Sequence, residues 1–155
     1  VKSAEVTSLE DGISTIKTDI VLTDDKLKKW DGFFPYDYTV NGNSVAVEFK
    51  GRITSKGIQT LHDGKYFTLV NFNSGVGDKY QHEVNGNTIT REVVSKSTTD
   101  DYSYVFFNIK VSEVEETGMG LPGVSKIVYY ANHKFGLVGV KAVFEDGTEK
   151  KITIY

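Results

Sequence analysis

Val138-Gly139-Val140-Lys141-Ala142-Val143-Phe144-Glu145-Asp146-Gly147-Thr148-Glu149-Lys150-Lys151-Ile152-Thr153-Ile154-Tyr155 is the stretch that decides the fold. Val138, Val140, Ala142 and Phe144 alternate with Gly139, Lys141 and Val143, the period of two that a β-strand imposes. Asp146-Gly147 supplies the pair that a two-residue type I′ turn favours, since both central residues take positive φ, and Lys151 to Tyr155 returns as the partner strand. Upstream, Lys126-Ile127-Val128-Tyr129-Tyr130 reads as another strand, broken by Ala131-Asn132 and followed by His133-Lys134-Phe135. The chain thus closes in a run of short antiparallel strands.

The same signals recur toward the N-terminus. Val1 to Asp11 is polar and reads as a linker or an edge strand, and the first firm strand runs from Ile13 to Leu22. Thr23-Asp24-Asp25 offers capping oxygens to a short helix over Lys26 to Trp30, where Leu27 and Trp30 share a face. A hairpin follows, Tyr36 to Val40 and Val45 to Phe49 around Asn41-Gly42. Asp63-Gly64 and Asn85-Gly86 mark further turns, Tyr66 to Phe72 a buried strand, and residues 73–78 a flexible loop. Tyr102 to Val111 reads as the longest apolar strand, closed by the acids of Glu113-Val114-Glu115-Glu116, and residues 117–123 as a loop. Eight to ten strands between closely spaced turns mean a sandwich or barrel.

Composition agrees and sets limits. At 155 residues the chain suits one domain that buries roughly 70% of its unfolded surface. Nine Tyr, nine Phe and a single Met tilt its apolar content toward strand formers. A net charge of −3 with only Arg52 and Arg91 as arginines speaks against a protein that tracks the nucleic-acid backbone. Absence of Cys removes disulfides and cysteine-based zinc or redox sites. No stretch approaches the ~20 apolar residues of a membrane span, so direct membrane insertion is not expected. Val1 is read as the start of a mature or excised domain with flanking domains beside it.

Two groups of residues suggest a site. Trp30, Phe33, Phe34, Tyr36 and Tyr38 gather beside Pro35, where they either line a ligand platform or fill the core at one end of a sandwich. Tyr129 and His133 stand four residues apart, a phenol and an imidazole able to serve as donors to a metal or haem iron, or else a half-exposed Tyr and a surface His. His62 and His82 read as solvated loop histidines. Asp24-Asp25, Asp100-Asp101 and Glu115-Glu116 lack the spacing of a calcium loop and read as solvated turns. Nucleophile elbows, P-loops and any joint nucleophile, base and orienting partner are missing, so a non-enzymatic role is expected.

In order of features the chain resembles the NEAT domain, the haem-binding β-sandwich of Gram-positive surface proteins. Asp11-Gly12-Ile13 to Leu22 is similar to the family's first strand, Lys26 to Trp30 to its pocket helix, and residues 91–111 to its central strands. Tyr129-Tyr130-Ala131-Asn132-His133-Lys134-Phe135, leading into Val140 to Phe144, is similar to the ligand hairpin, with His133 where the family's Tyr-x-x-x-Tyr motif has its second Tyr. The resemblance implies an antiparallel, immunoglobulin-like or NEAT-like β-sandwich with one short helix. It also implies a cell-wall-associated binding module for haem or a haemoprotein, with Tyr129 as axial ligand of the haem iron, His133 nearby, and Trp30, Phe33 and Phe34 as apolar walls. A carbohydrate-binding or adhesion module whose aromatics stack on glycan rings is the alternative, and a structural spacer domain a third.

Overall fold

The computed structural model describes residues 3–21, 37–42 and 44–154. The chain forms two antiparallel sheets from its two halves. The first contains β1 (Ser3–Glu10), β2 (Ile13–Val21), β4 (Ser44–Thr54), β5 (Gly57–His62) and β6 (Lys65–Asn71) in that order, with β3 (Asp37–Asn41) paired to β4. The second has the order β14 (Glu149–Thr153), β13 (Gly136–Phe144), β12 (Val124–Asn132), β11 (Ser112–Thr117), β8 (Asn87–Lys96) and β7 (Lys79–Val84). A small hairpin, β9 (Tyr102–Tyr104) and β10 (Phe107–Ile109), stands apart. The expected all-β, antiparallel, sandwich-like architecture is present; the short helix expected at Lys26 to Trp30 lies outside the described residues.

Asx-Gly pairs make the turns. Asp11-Gly12, Asp63-Gly64 and Asn85-Gly86 each hold two successive positive-φ residues between directly paired strands, the type I′ geometry that matches strand twist. Asp146-Gly147 behaves differently. Only Gly147 has positive φ, Gly147 N–H donates to Phe144 O, and Phe144 N–H donates to Thr148 O, so the β13–β14 loop is a three-residue turn ending in a left-handed Gly. Asp146 Oδ1 accepts from Thr148 N–H at 2.9 Å and from its hydroxyl at 2.6 Å, which stabilises the longer turn.

Two further expectations are corrected. Tyr102 to Val111 is not one strand; it folds back at Val105-Phe106 to make β9 and β10, with Tyr104 opposite Phe107. Glu113-Val114-Glu115-Glu116 is not a solvated closing turn but most of β11, an interior strand between β8 and β12. Alternation along β11 sends Val114 and Glu116 toward the first sheet and Glu113 and Glu115 the other way.

Between the sheets lies one core, in which Ile58, Leu69 and Val70 of the β5–β6 hairpin meet Val93, Val114 and Ala131. Each of the Val, Ile and Leu side chains contributes roughly 1.5–3 kcal/mol when removed from water. Arg91 and Glu116 sit in this core at 1% and 2% exposure, directly opposite each other on β8 and β11. Arg91 Nε donates to Glu116 Oε2, while its Nη1 donates to Thr68 O across the sandwich. Thr68 and Leu69 lie at a bulge in β6, the outer strand of its sheet among the described residues, whose outward carbonyls have no described strand beside them. Tyr80 Oη completes the arrangement by donating to Leu69 O at 3.1 Å. The second core, on the opposite face of the second sheet, consists of Tyr102, Tyr104, Ile109, Val111, Val128, Tyr130 and Val138, so the β9–β10 hairpin covers that face.

Removing one member of a buried pair leaves the other charge without compensation. Glu116→Ala is expected to lower the unfolding free energy by about 3–5 kcal/mol. Glu115→Ala, which breaks only the half-exposed contact with Lys126, should cost about 1 kcal/mol or less. Urea denaturation of both variants checks this, and equal losses would show that burial does not separate the two acids.

Candidate functional site

Tyr129 and His133 occupy different surroundings. Tyr129 lies opposite Val114 and diagonal to Glu116, and its hydroxyl donates to Glu116 Oε1 at 3.0 Å while its ring packs on the inter-sheet core. His133 is exposed in the β12–β13 turn. The phenol thus belongs to the buried Arg91–Glu116 system and the imidazole to the surface. Trp30, Phe33 and Phe34, the expected apolar walls, lie outside the described residues.

The other two histidines are not loop residues. His82 is in β7, stacked on Phe67 at 4.6 Å, and His62, at the end of β5, approaches the same ring at 6.4 Å. Together with Arg91, Glu116 and Met119 they line an indentation with room for about one water molecule. Burial first, and the Arg91 guanidinium second, push the His82 imidazole down to about 4, against the opposing pull of Glu83. This is a packed end of the core, too small for an organic ligand.

A different surface gathers exposed apolar side chains. At one end of the sandwich the β9–β10 tip and the β12–β13 turn come together: the Phe135 ring is 5.5 Å from Tyr104 and 5.7 Å from Phe107, and Tyr104 meets Phe107 edge-on at 6.1 Å. Phe106, at the tip itself, is 96% exposed. Phe107, Val105 and Phe135 are also exposed, and so is Ile53 of β4, which reaches this end over Gly136. Gly136 permits that approach twice over, since its φ is 76° and a Cβ there would stand 2.5 Å from Ile53 Cδ1. Five exposed apolar side chains at one end form the kind of patch that marks an interaction surface.

Polar clamps hold this end rigid. Buried Asn132 accepts at Oδ1 from the backbone N–H groups of Lys134 and Phe135 and donates from Nδ2 to Lys110 O at 2.7 Å, tying the turn to the strand that leaves the hairpin. Ser97 closes the other side, donating its N–H to Val111 O and accepting from Val111 N–H at its hydroxyl. Tyr102 anchors the hairpin base: its ring lies 5.2 Å from Tyr130, and Lys151 Nζ sits 4.3 and 4.5 Å from the two ring centres. Gly139 leaves the space that Tyr102 Oη needs, because a Cβ would come within 2.5 Å of it.

Val105 shows what the tip requires. Its φ is 54°, a region that β-branched residues rarely enter, and the two-residue loop would suit Gly at this position. Turn signals of the ordinary kind were absent, which is why the sequence reads as a continuous strand. The available signal was the run Tyr104-Val105-Phe106-Phe107, four bulky residues that break the period of two. Comparison of the chain with protein-family models, with curated proteins and with solved structures finds no match.

Two outcomes are expected. Val105→Gly should stabilise the fold by up to about 1 kcal/mol, relief of the left-handed strain exceeding the extra unfolded-state entropy; a loss of stability in thermal unfolding would contradict the turn geometry. For His82 the folded imidazole holds its proton less tightly than the unfolded one, so its contribution is complete above pH 6.5 and lost as pH falls toward about 4. The denaturation midpoint should therefore drop across that window more steeply in the wild type than in His82→Gln.

Proposed function

We propose that the chain is a non-enzymatic binding module of an extracellular or cell-surface protein, and that its contact surface is the aromatic end formed by the β9–β10 tip and the β12–β13 turn. One observation carries this: Phe106 is 96% exposed at the tip of a hairpin whose base is anchored by buried aromatics. A large aromatic held out in water by a strained backbone is not explained by folding, whereas a contact surface uses both features. Adhesion through aromatic side chains, the alternative drawn from the sequence, is the reading this favours. The immunoglobulin-like assignment has less support, because each sheet here is built from one half of the chain whereas immunoglobulin sandwiches interleave their strands between sheets.

Haem binding is kept as a second proposal on a changed footing. His133 is exposed in the same turn as Phe135, whose ring meets those of Tyr104 and Phe107, so the exposed donor in the turn that holds these aromatics is the imidazole. The Tyr129 hydroxyl is engaged by Glu116.

Beads coated with the domain, offered to immobilised glycans, lipids and extracellular matrix proteins, should be retained by at least one class, and Phe106→Ser should lose that retention. Retention that survives Phe106→Ser and Phe107→Ser together would move the contact surface elsewhere. Haemin titration decides the second proposal: a saturable Soret shift lost in His133→Ala supports it, one lost in Tyr129→Phe returns the ligand role to the phenol, and no shift removes haem.

A further inference from the structure

The aromatic end has a charge pattern as well as an apolar one. Its exposed apolar side chains come from three segments, residues 53–57, 104–111 and 132–137. These contain Lys56, Lys110 and Lys134 and no carboxylate, in a chain with 21 acidic residues and a net charge of −3. Lys110 and Lys134 are both exposed, and both are fixed through their backbone to Asn132. The nearest acids, Asp100 and Asp101 before the hairpin and Glu113 after it, are at its base, where Asp101 accepts from the Ser97 hydroxyl and Glu113 lies opposite Tyr130. Exposed lysines thus flank the apolar segments of this end, and Lys134 Nζ lies 5.5 Å from the Phe135 ring.

Resting on the proposed contact surface, we infer that this end docks on a phospholipid bilayer with anionic headgroups. Phe106 and Phe107 enter the boundary between headgroups and acyl chains, and Lys56, Lys110 and Lys134 lie among the phosphates. Shape supports a bilayer: a side chain exposed on every side needs a medium that closes around it, whereas a sugar or porphyrin needs a flat platform or a cleft. Charge supports anionic lipid, since each lysine near such a surface adds attraction that a neutral surface does not provide. It also disfavours a second copy of the chain, because two such ends would bring like charges together. No helix among the described residues is long and apolar enough to cross a membrane, and none is needed, since interfacial anchors penetrate only about 5–10 Å. The sequence-based expectation of no membrane insertion concerned spanning segments, and a hairpin tip escapes that criterion.

Co-sedimentation of the whole chain with vesicles of phosphatidylcholine, with and without phosphatidylserine, tests the inference. Binding should require phosphatidylserine, weaken with added salt, and fall roughly tenfold or more in Phe106→Ala, whose exposed position leaves the unfolding midpoint unchanged. Lys134→Glu should weaken it too. Phe106→Trp should show a blue-shifted emission quenched by brominated acyl chains, above the background from Trp30. Binding that ignores Phe106→Ala, or a tip tryptophan that stays in water, would overturn insertion. Failure to bind vesicles, with retention on a glycan or protein still lost in Phe106→Ser, would overturn the lipid partner and leave the contact surface standing. If neither vesicles nor any other surface responds to Phe106, both readings fall.

Discussion

The Arg91 guanidinium joins three strands from two sheets, and the packing of the molecule depends on it. Nε bonds Glu116 on β11 and Nη1 bonds Thr68 O on β6, while the Tyr129 hydroxyl on β12 takes the second carboxylate oxygen. A charge taken out of water is costly, and this one is retained because every contact is filled in a single register. Sliding β8 by one residue against β11 would turn Arg91 to the opposite face and leave Glu116 alone in the core. Apolar residues alone would hold the layers together with less discrimination between registers.

Its reach across the sandwich also deals with an exposed edge. β6 is the last strand of its sheet, and the bulge at Leu69 turns carbonyls away from β5. Arg91 and Tyr80 bond those carbonyls, and Lys96 Nζ does the same for Phe72 O and Ser74 O just beyond the strand, both at 2.9 Å. Side chains of one sheet therefore do for β6 what a neighbouring strand would have done. That arrangement fixes the second sheet as a layer buried on both faces at its centre.

From this follows the rigidity of the aromatic end. With β11 and β12 held from below, the upper face of the second sheet becomes a platform on which the β9–β10 hairpin rests through Tyr102, Tyr104 and Ile109. Asn132 then fixes the adjoining turn to the same hairpin. These contacts hold the hairpin base and the adjoining turn against the sheet. Val105 stores strain that the surrounding structure maintains.

Sequence alone determined what is local. The preference for strands, most turn positions and the antiparallel arrangement were legible, because alternation and Asx-Gly pairs act over a few residues. Choices that depend on a partner from elsewhere in the chain were not. The string Val-Asn-Gly-Asn occurs at Val40 to Asn43 and at Val84 to Asn87, yet Asn41 stays in its strand opposite Ser44 while Asn85 enters the turn with Val84 opposite Asn87. The two strings thus pair one residue out of step, so the turn residues do not by themselves set the register. Glu115 and Glu116 look alike in sequence, and the alternation of an interior strand puts Glu116 in the core opposite Arg91 and Glu115 on the other face. Tyr129 read either as a haem-iron donor or as a half-exposed phenol, and the sequence could not say that a carboxylate would hold it; Phe106 was hidden in an apolar run that only the platform beneath it folds into a hairpin. Tertiary structure decided these because burial is a property of the assembled layers, and a side chain's chemistry is set by what faces it.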